Sequence, residues 1–76
     1  METITLNKLP LDTVGTITEI QCSHTIKRRL LDLGLIPNTR IIPVFKSIGR
    51  DPIAYEVRGT ILAIRNDDAK DILVII

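Results

Sequence analysis

The run Arg28–Asn38 reads Arg-Arg-Leu-Leu-Asp-Leu-Gly-Leu-Ile-Pro-Asn, and it leaves the backbone few choices. Counted at a helical period, Ile26, Leu30 and Leu33 fall on one stripe, the pattern of a helix with one face against a core. Arg28 and Asp32 lie four apart on the other side, where opposite charges can meet. Gly34 follows the last periodic leucine. A glycine there can take the left-handed conformation that ends a helix and satisfies its last carbonyls. Leu35 and Ile36 then offer apolar contact back onto the last turn. Pro37-Asn38 suits a type II turn, with φ fixed by proline and a positive φ tolerated by asparagine. The run therefore predicts a helix, a stop and a turn into a strand.

The flanking segments are short and rich in β-branched residues. Thr3–Leu6 is a brief strand candidate interrupted by Leu9-Pro10, and Asp12-Thr13 reads as a turn. Val14–Gln21, which includes the backbone-permissive Gly15, is expected to be a strand. Ser23 is placed to cap a helix over about 24–33, because its hydroxyl can accept from an orphan backbone N–H. Thr39–Lys46 reads as a strand, with Ile41, Pro43 and Phe45 facing one way and Ile42 and Val44 the other. Pro43 cannot donate to a ladder and belongs at an edge or a bulge. Ser47–Asp51 is a loop.

Pro52–Arg58 alternates, placing Ile53, Tyr55 and Val57 inward and Ala54, Glu56 and Arg58 outward. Gly59-Thr60 is a tight connection to the strand Ile61–Arg65, with Leu62 and Ile64 inward. Asn66 is expected to cap a helical turn over about 66–70. Asp67 and Asp68 sit at its favourable end, and Asp71 sits where the turn ends or the next strand begins. Ile72–Ile76 closes the chain as a strand. Many short strands in one small chain favour a mainly β barrel, which removes exposed edges.

Composition narrows the function. A chain of 76 residues makes one domain and buries only about 60% of its unfolded surface, so an enclosed two-domain catalytic cleft is not expected. Phe45 and Tyr55 are the only aromatics, too few for base-stacking platforms. The net charge of +1 gives no field to hold a phosphate backbone. Nucleic acid is therefore not an expected partner. No leader pattern opens the chain, and no apolar run is long enough to span a bilayer. A cytoplasmic protein without direct membrane insertion is expected.

Candidate chemistry is sparse. Cys22 and His24 are soft and borderline metal ligands two positions apart, but a structural zinc site takes four protein ligands, and no second Cys or His exists. Only a site shared between two chains would complete the set, so Cys22 and His24 stand as weak metal candidates. Asp67, Asp68 and Asp71 lack the alternating oxygen ligands of a calcium loop and read as first-turn acids. No nucleophile–base signature and no glycine-rich phosphate loop is present, so no catalytic residue is assigned and an enzyme is not expected. Lys27, Arg28 and Arg29 spread around the helix rather than focus on one patch. Leu31 lies about 100° from Leu30, off the apolar stripe and beside Lys27. It either meets a partner or lies under the Leu35-Ile36 loop. Lys27, Leu31 and Leu35 are the candidate partner surface.

The central run also resembles the motif of the FeoA family, small proteins associated with bacterial ferrous iron uptake. The pattern is matched by Arg28, Leu30, Asp32, Leu33, Gly34, Leu35, Pro37 and Thr39, and Asn38 stands where the family carries glycine. Leu30, Leu33, Gly34, Pro37, Asn38 and Gly59 are its structural motif here. Ile48–Pro52 resembles the family hairpin, with glycine one residue early and Arg50 in the usual glycine position. The resemblance implies an SH3-like barrel of about five strands with the helix inserted. It implies an accessory role beside the ferrous iron transporter FeoB, through contact with its cytosolic part or through self-association, and a link to Fe2+ without a tightly bound cofactor. The same domain type closes metal-dependent transcriptional repressors, which gives the alternative of a regulatory module.

Overall fold

The computed structural model describes residues 2–76. Six strands and two helices follow one another as β1 (Thr3–Thr5), β2 (Gly15–Ile20), α1 (His24–Asp32), β3 (Arg40–Lys46), β4 (Ile53–Val57), β5 (Thr60–Ile64), α2 (Asn66–Ala69) and β6 (Ile72–Ile75), with single 3-10 turns at Leu6–Lys8 and Ile48–Arg50. The strands form one antiparallel sheet in the order β1-β6-β2-β3-β4-β5. The fold is mainly β, as expected, with six strands rather than about five. The last strand is not peripheral: β6 lies between β1 and β2, and Ile72 and Val74 are wholly buried.

The strand order leaves β1 and β5 as edges instead of closing them against each other. The two ends meet through residues just beyond each strand. Asn7, after β1, donates from Nδ2 to Oδ1 of Asn66, which opens α2 after β5, at 3.1 Å. The backbone N–H of Asn66 in turn donates to Oδ1 of Asp51 at 2.9 Å. Asp51 thus holds that N–H, and the expected capping role of Asn66 falls instead to Arg65 as a backbone position.

The helix stop is a Schellman motif. Leu35 N–H donates to Leu30 O and Gly34 N–H to Leu31 O, both at 3.0 Å, with Gly34 at φ +101°. That 6→1 bond brings Leu35 back over Leu30; both are core residues. The next turn is bound to the sheet. Thr39 N–H reaches Ile36 O across Pro37-Asn38, Asn38 has φ +71°, and Asn38 N–H donates to Ile17 O at 2.7 Å. Ser23 occupies the N-cap position of α1 and its carbonyl accepts from Lys27 N–H, but its hydroxyl makes no capping bond.

Two expected orientations change. Phe45 does not share a face with Ile41 and Pro43. A bulge between Pro43 and Phe45 inserts Val44, so Pro43 stands opposite Tyr55 and faces inward, while Phe45 stands opposite Ala54 and faces out. Leu33 is not core: α1 ends before its stripe is fully covered, and Leu33 stays 47% exposed. The remaining interior is continuous, built from Leu6, Leu9, Ile17, Ile20, Leu30, Leu35, Ile41, Tyr55, Val57, Ile64, Ala69, Ile72 and Val74. Arg58 (φ +52°) and Gly59 (φ +80°) turn β4 into β5, the paired left-handed residues of a type I′ hairpin.

Candidate functional site

The outer turns of α1 and the free edge of β5 form the walls of an open groove. Ile26, Arg29, Leu30 and Leu33 line it from α1, Ile61–Arg65 from β5, and Asp68 from α2. Its volume is ≈ 300 Å³. β5 pairs only with β4, so backbone N–H and C=O groups along its other side have no strand partner. Leu33 and Ile61 are exposed at the rim, and Arg29, Arg65 and Asp68 supply charge of both signs.

A second, shallower recess runs along the solvent side of α1 and is lined by His24, Lys27, Arg28, Leu31 and Asp32. Leu31 is 36% exposed there. Leu35, in contrast, is wholly buried. The Schellman bond carries it into the core, so it presents nothing to a partner, and its place among the candidate surface residues is corrected. What sequence reasoning missed is the groove itself. Its signal was present in Leu33, the last residue of an apolar stripe longer than the sheet can cover.

Cys22 and His24 are not brought into a shared set of ligands. Cys22 is half-buried against the core, and its Sγ donates to Asp68 O at 3.4 Å. Burial raises its pKa, and the carboxylates of Asp68 and Asp71 raise it further, which keeps the thiol protonated and a poor ligand or nucleophile. His24 opens α1 on the exposed side. Asp67 pairs with Lys70 at 4.0 Å. Among the described residues, no group of three or more His, Cys, Asp or Glu side chains could hold a metal ion. Within one chain, Cys22 and His24 therefore have no companions among the described residues with which to hold a metal ion. No helix among the described residues is long and apolar enough to cross a membrane.

Comparison with known proteins fits this geometry. The family model described as FeoA domain matches residues 4–76. An FeoA protein from Chlorobium tepidum superposes with a TM-score of 0.91 at 27% identity, over 96% of this chain and 70% of that one. An FeoA from Stenotrophomonas maltophilia, solved with zinc and described as an SH3 domain protein possibly acting as a ferrous iron transport activating factor, gives 0.83 at 33% identity over 93% and 88%. The IdeR protein of T. acidophilum gives 0.85 at 26% identity, covering all of this chain (100%) but 35% of that one. No curated protein sequence matches the chain. A match across nearly the whole chain, on an SH3-like sheet with the helix stop in place, shows that the chain belongs to the FeoA family of iron-transport accessory domains.

Proposed function

We propose that this chain is a non-enzymatic interaction module of ferrous iron uptake that binds the cytosolic part of the FeoB transporter. The observation that carries the reading is the groove between α1 and β5, where an exposed apolar rim lies beside an unpaired strand edge. Such an edge accepts an extended segment through main-chain hydrogen bonds, while Ile26 and Leu33 receive its alternate side chains. Charged Arg29, Arg65 and Asp68 at the margin give the polar rim of a modest, reversible contact. The description of the Stenotrophomonas relative as a possible activating factor supports the same class of role.

The test is binding of the purified transporter's cytosolic domain to Leu33→Glu and Leu31→Glu variants. Leu33→Glu is expected to keep its melting temperature and weaken binding at least roughly 30-fold, the scale of a lost interface anchor. A comparable loss with Leu31→Glu alone would move the contact to the Lys27–Leu31 face. Unchanged binding by both variants would remove α1 from the interface. The likeness to IdeR favours a second reading, in which the groove receives a segment of a metal-sensing domain. Binding that requires metal on the partner, and that the transporter domain does not show, would select it.

A further inference from the structure

The bulge in β3 has a consequence on the side of the sheet away from the core. Opposite residues in an antiparallel pair share a face. The register sets Ile42, Glu56 and Ile61 in one outward row across β3, β4 and β5, and Phe45, Ala54 and Ala63 in the next. Apart from Glu56, both rows are apolar. Phe45 is 62% exposed, and Ile48, at the tip of the β3–β4 connection, is 103% exposed. The tip is built from left-handed backbone at Gly49 (φ +84°) and Arg50 (φ +69°).

Cations stand at both ends of this face. Arg40 and Arg58 lie at one end and Arg50 at the tip of the other; Lys46 ends β3 opposite Ile53, on the other side of the sheet, and all four are exposed. None takes part in an ion pair among the described residues, where only Lys70 and Asp67 are paired. Of the nearby acids, Asp51 accepts from the backbone N–H of Asn66, Asp12 lies beside β3 with its N–H on Pro43 O, and Glu56 lies within the face. From Arg40 to Arg65 the chain carries Arg40, Lys46, Arg50, Arg58 and Arg65 against Asp51 and Glu56. This third of the chain is therefore positive while the whole is close to neutral.

We propose that the outer face of β3–β4–β5, with the Phe45–Arg50 tip, is a docking surface for an anionic phospholipid bilayer. Protruding Phe45 and Ile48 enter the interface between headgroups and acyl chains, as apolar side chains of peripheral proteins do. Arg50 at the tip, with Arg40 and Arg58 across the face and Lys46 at the nearby end of β3, meets the negative surface potential. Neither recess described above includes Phe45, Ile48 or Ile42. A projecting apolar set suits a fluid layer, whereas a folded partner would need a socket shaped to it. The surface meets the groove along β5, where Ile61 and Ala63 belong to both, but the Phe45–Arg50 tip lies outside the groove lining, so variants at the tip test this proposal separately from those at Leu33.

The test is sedimentation of the full chain with vesicles of phosphatidylglycerol and phosphatidylethanolamine, against vesicles of phosphatidylcholine alone. Binding to the anionic vesicles that weakens with added salt is expected, with little to the neutral ones. Lys46→Ala combined with Arg50→Ala should lower the partition constant roughly 25-fold. Ile48→Ser should lower it while leaving the salt dependence in place, because it removes apolar burial and no charge. All these positions are exposed, so unchanged melting temperatures should accompany the losses. Absence of sedimentation by the unaltered chain, equal binding to both vesicle types, or full binding by the double variant would each overturn the proposal. Loss of transporter-domain binding by these variants, without any vesicle binding by the parent, would assign the face to a protein and overturn it equally.

Discussion

The helix stop at Leu30–Thr39 and the connection at Val44–Pro52 both contain left-handed residues, yet they are held in opposite ways. At the stop, Gly34 and Asn38 take positive φ inside a closed set of hydrogen bonds that runs from Leu30 O to Ile17 O. Each local preference there agrees with a tertiary contact, and Leu35 is delivered into the core. At the hairpin tip, Gly49 and Arg50 also take positive φ, but Ile48 beside them and Phe45, turned outward by the bulge, are not among the core residues. Arg50 N–H donates to Ser47 O at 2.7 Å, and the connection is tied outside its own strands through Asp51 Oδ1, which accepts from Asn66 N–H. The first region spends its unusual backbone on folding. The second holds apolar surface outward, where it gains nothing for the fold.

The largest expected effect falls in the first region. Leu35→Ala should destabilise by about 2–5 kcal/mol, the range for truncating a fully buried leucine, read as a fall in denaturation midpoint. A loss below about 1 kcal/mol would mean that the Schellman contact is not core packing. Gly34→Val should cost about 1–3 kcal/mol. A Cβ at Gly34 would meet nothing within 4 Å, so Gly34→Ala should show most of the same loss, and that loss reports backbone strain as distinct from the packing measured at Leu35. A melt unchanged by Gly34→Val would contradict the assigned cap. Smallest is Ile48→Ser, expected within about 0.5 kcal/mol of the parent. A larger loss would show that the hairpin tip is part of the fold after all, and would erase the contrast.

How far the chain could be read from its residues follows the same division. The helix, its stop and the Pro37-Asn38 turn were legible because propensity, periodicity and turn chemistry there are local, and the tertiary contacts agree with them. The inward set Ile53, Tyr55 and Val57 was legible for the same reason, through strict alternation. Phe45 was misplaced because a bulge leaves no mark in a run of β-branched residues, and one inserted residue reverses every later side chain. Leu33 was placed in the core because a helical wheel does not say where the covering sheet stops, and Leu35, expected both to pack back onto the last turn and to meet a partner, does only the first. The residue after the glycine is brought back by a hydrogen bond that no periodicity contains. The groove was illegible as a site because half of it comes from β5, far along the chain, and strand order cannot be counted from sequence.

The pairing of β1 with β6 reaches beyond the sheet. Glu2 and Ile76 exchange backbone hydrogen bonds, N–H to O at 3.3 and 3.0 Å, so the two termini lie side by side. A polypeptide that contained this domain would enter and leave it at one point, like a bead hung from a line rather than threaded on it. Joining the ends would need only a short bridge, and placing the unit within a longer chain would need no crossing of the sheet. That geometry suits the same architecture to stand as a small unit of its own or as a pendant on a larger chain.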